Sequence, residues 1–168
     1  SKIGGIQICF PLLNLGKQQQ IAGLRILIGI LNLSKTKMGE FVALNGFSVL
    51  FELLSQHTLT SNTFDLLFDL ISFRNSIKSP FHVGRQIIHV EGLYLLMDLI
   101  RIAPLGVKSQ VFEYLLDLFY QLPENLEMWR RGPGIYVFLA YILECKKDVH
   151  NVLIELVKKL ANDALSGE

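Results

Sequence analysis

The sequence contains few of the features that mark disulfide-stabilised, metal-binding or membrane-spanning proteins. Its 168 residues include two cysteines, Cys9 and Cys145, which form neither a Cys-x-x-Cys pair nor the Cys/His spacing of a zinc site. Because isolated cysteines are among the most often buried residues, we predict two reduced thiols in the core and a reducing compartment. The most apolar run, residues 135–143, is far shorter than the ~20 residues that cross a bilayer, so we expect no membrane span. We also expect no signal peptide, because the charged and then apolar order is missing.

The chain also has almost no net charge, since 16 basic and 15 acidic residues give a formal charge of +1. This balance excludes attraction of nucleic acid or of an anionic membrane by bulk charge. We therefore expect no nucleic-acid partner, and recognition of other partners must depend on local groups of residues.

Residues that carry catalysis or bind metals are not grouped along the sequence. The four histidines, at positions 57, 82, 89 and 150, include no i, i+4 pair of the kind that places two imidazoles on one helix face. Carboxylates do pair at i, i+4, as Asp65 with Asp69 and Glu113 with Asp117, but these pairs occupy equivalent places in similar helices. A repeated pair is typical of a polar helix face rather than of one active site. We predict no enzymatic activity and no metal or other cofactor.

What the sequence does contain is an internal repeat. Four segments begin with a glycine followed by an apolar helix pattern, at Gly5, Gly46, Gly92 and Gly134. These glycines are 41, 46 and 42 residues apart, which matches the ~40–47 residue period of armadillo and HEAT repeats. A second apolar helix is predicted after each of them, over residues 21–31, 63–73, 111–120 and 152–160.

Shorter helices are predicted before three of the glycines, over residues 37–45, 81–91 and 124–131. Three helices per unit, with the first one short, favour armadillo over HEAT geometry. We predict no β-strand, because the β-branched residues recur at helical spacing.

These patterns predict an all-α protein, an armadillo/HEAT-like superhelical solenoid of about four repeats. One solenoid segment fills residues 1–168, with repeats at roughly 1–36, 37–80, 81–122 and 123–168. We expect it to be a piece of a larger protein with neighbouring domains. The longest glycine interval has its surplus near residues 74–80, where an omitted disordered stretch would fall.

Candidate partner-binding residues are few. The basic doublets Arg130-Arg131 and Lys146-Lys147 would dock an acidic peptide or a phosphoinositide head group, although solvated helix ends explain such doublets as well. Trp129 is either an exposed hot spot for a partner or, as we prefer, an aromatic packed beneath the following repeat.

Two resemblances refine this prediction. Gly4-Gly5-Ile6 resembles the turn of an armadillo repeat, and residues 3–13 together resemble the start of the armadillo-like region of BEACH-domain proteins of the neurobeachin and Chediak-Higashi type. Membership of that family implies a large cytoplasmic scaffold, associated peripherally with membranes and acting in vesicle traffic. The fold also resembles importins and catenins, which bind peptides through a ladder of Asn residues on successive inner helices. Asn32 fits that ladder, but Ser72, Tyr120 and Lys159 occupy the equivalent later places, so cargo binding is not favoured.

The leading hypothesis is a non-catalytic protein-interaction scaffold, with protein partners and with neighbouring domains of the same chain. The alternatives are an adaptor that docks on anionic membrane lipids through the basic doublets, and an armadillo-type peptide or cargo binder.

Overall fold

The computed structural model describes residues 5–74, 85–144 and 149–165. Within these residues the chain forms ten helices and one short antiparallel strand pair, which confirms the all-α prediction. The elements are α1 Gly5–Leu13, α2 Lys17–Asn32, α3 Lys35–Ala43, α4 Gly46–Leu54, α5 Ser61–Ile71, β1 Ser72–Arg74, β2 Arg85–Ile87, α6 Val90–Ile102, α7 Leu105–Gln121, α8 Pro123–Arg131, α9 Tyr136–Glu144 and α10 His150–Leu165. Among the helices of the described residues, none is both long and apolar enough to cross a membrane.

The chain divides into two compact units. The first consists of Ser1–Leu70 with Leu95–Pro104, and the second of Ile71–Tyr94 with Leu105–Glu168. Each unit has its own buried aromatic and leucine side chains, and each is described separately below.

The first unit is organised around an antiparallel hairpin of α1 and α2. A Cβ atom on Gly5 would lie 3.6 Å from Ile30, and one on Gly23 would lie 3.0 Å from Leu13, so the start of one helix faces the end of the other. The helices α3 and α4 pack against this hairpin. The side chains that fill the interior are almost completely buried because each element contributes one apolar stripe; they include Leu13, Leu24, Leu27, Phe41, Leu50 and Leu54.

A left-handed turn joins α3 to α4. The Ser34 hydroxyl caps the start of α3 by accepting a 3.3 Å hydrogen bond from the Lys37 amide, which satisfies one of the free donors of the first turn. Asn45, at φ 55°, then reverses the chain so that α4 begins at Gly46. Asparagine is one of the few residues other than glycine that adopts this conformation readily.

The second unit contains the strand pair and helices α7 to α10. Ser72 pairs with Ile87 and Arg74 with Arg85, and the Ile71 carbonyl accepts the amides of the two residues that follow β2. The helix predicted over 81–91 is therefore wrong for residues 85–89, because α6 begins only at Val90. The prediction of no strand is wrong for residues 72–74 and 85–87. The physical reason is a tertiary contact to β2 from α8, which is described with the site and overrides local propensity.

The remaining helix predictions are confirmed within a few residues. The glycine-led helices α1 and α4 occupy the predicted positions, and α2, α7 and α10 extend beyond the predicted second helices. The helix predicted over 63–73 is α5, which ends at Ile71 because the chain then enters β1. The proposed omission near 74–80 falls almost entirely outside the described residues.

Candidate functional site

Trp129 is completely buried, so the hypothesis of an exposed hot spot at this residue is wrong and the packing alternative is correct. Its ring stacks on Phe138 with centroids 4.8 Å apart and packs edge-on against Phe119 at 5.5 Å. The indole Nε1 donates a 3.0 Å hydrogen bond to the Gly134 carbonyl. A Trp that is completely buried and whose single donor is already bonded inside the protein offers no surface to a partner.

Asn125 connects three elements of this region through hydrogen bonds. It was not singled out in the sequence analysis. Its side chain is fully buried, and its Oδ1 accepts a 2.8 Å hydrogen bond from the Ile87 amide. Its Nδ2 donates to the carbonyls of Arg85 at 2.9 Å and Leu118 at 3.1 Å. One side-chain amide thus joins α8 to β2 and to α7, and both its oxygen and its nitrogen are hydrogen-bonded. The available signal was position, because Asn125 lies four residues before Trp129 and therefore on the same helix face.

The fold brings together two basic doublets that are far apart in sequence. Arg130 Nη2 donates a 2.8 Å hydrogen bond to the carbonyl of Leu160, which places the end of α8 beside the Lys158-Lys159 doublet of α10. Lys159 Nζ also lies 4.8 Å from the centre of the Tyr120 ring at the end of α7. We call these residues the basic corner; they are Tyr120, Arg130, Arg131, Lys158 and Lys159.

The cations of the basic corner are partly neutralised by exposed ion pairs. Arg131 Nε lies 3.0 Å from Glu127, and Lys158 Nζ lies 2.9 Å from Glu155, with all four side chains about half exposed or more. Exposed pairs of this kind contribute only about 0–1 kcal/mol, so a competing anion can displace the carboxylate cheaply. The corner brings four cations together, and a cluster of Lys and Arg is the kind of group that meets an acidic peptide or an anionic headgroup.

The other predicted binding residues are Asn32, Lys146 and Lys147. Asn32 is the exposed last residue of α2 in the first unit, whereas Ser72, which would continue an Asn ladder, is buried in β1. Lys146 and Lys147 lie outside the described residues. The next position of the predicted Asn ladder, Ser72, therefore lies in a strand and not on a helix.

Two reactive side chains of the described residues have shifted pKa values. Burial raises the pKa of the Cys9 thiol, which makes the nucleophilic thiolate rarer at neutral pH. Burial lowers the pKa of His89, and the nearby charge of Glu91 opposes this shift. No group of three or more His, Cys, Asp or Glu residues is placed to hold a metal ion in residues 5–74, 85–144 and 149–165.

Comparisons with known protein families, with curated proteins and with solved structures give no match for this chain.

Proposed function

We propose that this chain is a non-catalytic protein-interaction scaffold built from armadillo/HEAT-type helical repeats. The observation that carries the proposal is one local structure that occurs in both units: a short helix, a left-handed turn and a second helix. In the first unit this is α3, Asn45 and α4, and in the second it is α8, Gly134 and α9.

The side chains of the two copies correspond as well. Phe41 and Trp129 each lie two residues before the end of the short helix, and each is completely buried. Each is followed five residues later by a glycine, Gly46 or Gly134. Each aromatic ring also contacts a ring of the following helix, as Phe41 does with Phe47 at 5.1 Å. Equivalent packing in two copies is what a chain of stacked repeats requires, because each unit buries its apolar face on a neighbour.

Repeat proteins of this class use their extended surfaces for binding, and several large apolar side chains of the described residues remain exposed here. A superhelical arrangement of about four repeats, with the boundaries given above, is part of the proposal. So is membership of the BEACH-domain scaffolds, with the cytoplasmic and vesicle-associated role which that resemblance implies.

Small-angle scattering tests the proposed architecture. A compact domain of this length has a radius of gyration of about 15 Å. We expect a clearly larger value, with a distance distribution skewed to long vectors. A symmetric distribution at the compact value would contradict the solenoid.

Crosslinking in cells that express the intact parent protein tests the proposed role. We expect crosslinks from this segment to at least one protein partner, and we expect deletion of the segment to remove them. If partners are retained in full after the deletion, the segment is not a docking surface.

The convergence of two basic doublets favours one second candidate, an adaptor for anionic lipid. Vesicles of phosphatidylserine in phosphatidylcholine should bind the wild-type chain, and the Lys158→Glu variant should bind severalfold more weakly. The Lys17→Glu variant makes the same charge change on α2 and serves as the control. Equal losses in both variants would indicate bulk charge, and binding unaffected by Lys158→Glu would dismiss this candidate.

A further inference from the structure

The basic and acidic residues are distributed very unevenly along the chain. Residues 1–39 contain five basic residues and no acidic one, and the first carboxylate is that of Glu40. The remaining residues contain 11 basic and 15 acidic side chains, so the near-zero total conceals a positive N-terminal part. In the described residues, Lys17 and Arg25 lie on α2, and Lys35 and Lys37 lie on α3, where Lys37 pairs with Glu40 at 2.8 Å.

An apolar stripe runs along the open side of α2. Ala22, Ile26, Gly29 and Leu33 follow one another at intervals of four, three and four residues, and all four are exposed. Ile26 is 48% exposed and Leu33 is 80% exposed. Because successive residues turn by about 100° in an α-helix, this spacing keeps the four side chains in one narrow line. It is the spacing of a seam that packs against another helix.

Two more exposed apolar residues lie on and just after α1. Ile8, in α1, is 60% exposed, and Leu15, two residues after α1 ends, is 69% exposed. On α1 itself, Ile6 and Leu13 are buried, and Leu13 packs on Gly23 of α2.

The same division holds on α2. Gly23 and Ile30 face α1, and the buried side chains Leu24, Leu27 and Leu31 lie on the side of α2 opposite to the exposed stripe. Ile8 and the stripe of α2 are therefore both turned away from the buried side chains of their own helices. We call this surface the hairpin outer face; its residues are Ile8, Leu15, Ala22, Ile26, Gly29 and Leu33.

The chemistry of the face selects among possible occupants. A second copy of this chain would bring Lys17 and Arg25 of α2 against the same two cations, which like charges oppose. A membrane-surface helix inserts Trp, Phe or Leu, and none of the six residues of the face is aromatic, so capture by vesicles is a rival outcome of the test below. Two of them, Ala22 and Gly29, are small, and a Cβ atom on Gly29 would meet nothing within 4 Å. This open space admits the side chains of another helix.

We propose that the hairpin outer face docks an amphipathic helix of a partner protein, with an apolar stripe flanked by acidic residues. The partner's apolar side chains would pack between Ile26 and Leu33 over Gly29. Its carboxylates would lie near Arg25, the exposed cation one residue before Ile26 on the edge of the stripe. The inference rests on the scaffold function, because it names the class of partner that the scaffold receives.

A synthetic helix tests this docking directly. The probe is a labelled peptide of about three heptads with Leu at the a and d positions and Glu at the e and g positions, and binding is measured by fluorescence anisotropy. We expect Ile26→Gln and Arg25→Glu each to weaken binding about tenfold, a loss of about 1.4 kcal/mol. Both side chains are exposed, so circular dichroism should report an unchanged fold. The matched controls are Ile154→Gln on α10 and Lys158→Glu in the basic corner, and both should bind as the wild type does.

Four results would overturn the proposal. Two concern the peptide: equal affinity when Lys replaces Glu in it, and a loss of binding caused by Lys158→Glu instead of Arg25→Glu. The other two are capture of the chain by phosphatidylserine vesicles and self-association of the chain, if Ile26→Gln abolishes either one. If cellular crosslinks persist in Ile26→Gln and map elsewhere, the scaffold function stands and this docking face is rejected. If deletion of the whole segment removes no crosslink, the scaffold function itself is rejected.

Discussion

The turns that join α3 to α4 and α8 to α9 have the same plan but are stabilised differently. In the first, Phe41 packs against the bare backbone of Gly46 and its ring meets Phe47 edge-on. In the second, Trp129 stacks on Phe138 and donates a hydrogen bond to the Gly134 carbonyl, and Asn125 adds three more bonds one turn earlier. The comparison teaches that two turns of the same plan can be stabilised differently, one by close packing and the other by a buried polar network.

Removal of the two aromatic rings gives the largest expected effect. Trp129→Ala should lower the free energy of unfolding by about 4 kcal/mol, and Phe41→Ala by about 3 kcal/mol, because each leaves a cavity and the first also loses a hydrogen bond. Urea denaturation followed by circular dichroism measures both values. Trp129→Phe, which keeps an aromatic ring but no donor, should recover most of the loss. A Trp129→Ala effect below that of Phe41→Ala would contradict the proposed difference between the turns.

Loss of the polar network should be nearly as costly. Asn125→Ala leaves the Ile87 amide and two carbonyls buried without their partner, so we expect a loss of about 3 kcal/mol in the same assay. Asn162→Ala on exposed α10 is the control and should change the unfolding free energy by less than about 0.5 kcal/mol. Hydrogen exchange at Ile87 should accelerate in Asn125→Ala alone. Unchanged exchange there would show that Asn125 does not hold β2.

Substitution of the two turn glycines distinguishes the energetic cost of close packing from that of an unfavourable backbone conformation. Gly46→Ala would place a methyl group well inside van der Waals distance of the Phe41 ring, and should cost about 2 kcal/mol through overpacking. At Gly134 the added methyl group has open space, but φ is +68°, so Ala should cost only about 1 kcal/mol of backbone strain. The control Gly106→Ala, in α7 with open space and no positive φ, should be neutral or slightly stabilising. Equal costs at Gly46 and Gly134 would remove the distinction.

Gln20 offers a contrast with Asn125 inside the first unit. Its side chain is 1% exposed, and its Nε2 has no hydrogen-bond partner, whereas every polar atom of the Asn125 amide is bonded. Gln20→Met has a similar shape and removes the unsatisfied donor, so we expect a gain of about 1 kcal/mol in unfolding free energy. Gln19→Met, at the exposed neighbouring position, should give no gain. A destabilised Gln20→Met protein would show that the amide is bonded in solution.

The smallest expected effect is a pH dependence from His89, next to β2. Burial lowers the pKa of this imidazole in the folded protein below the ~6.5 of an exposed histidine. Between these two values the unfolded chain binds more protons, so stability is complete above about pH 6.5 and falls as the pH drops toward the folded pKa. The urea midpoint of His89→Gln should decline less than that of the wild type over this window. Parallel curves for the two proteins would contradict a buried imidazole.

The helices were predictable from the sequence because their apolar residues recur at helical spacing within a single segment. The stop of α5 at Ile71 and the strand β2 were not, because the bond that fixes β2 comes from Asn125, 38 residues further along the chain. Burial of Trp129 was the preferred prediction, because an exposed Trp is unusual unless it serves a partner. The basic corner was not predicted, since nothing local indicates that Arg130 reaches the carbonyl of Leu160. The uneven charge of residues 1–39 was visible in the sequence but was hidden by a total of +1.

The two glycines inside α2 have a consequence for how this helix holds its shape. Each costs about 1 kcal/mol of helix stability relative to alanine, so an isolated α2 peptide should be largely unstructured. Gly23 is compensated by close packing on Leu12 and Leu13, but Gly29 faces open space and is compensated by nothing on that side. The C-terminal half of α2 should therefore exchange its amide protons faster than the N-terminal half, and any molecule bound over Gly29 should slow that exchange.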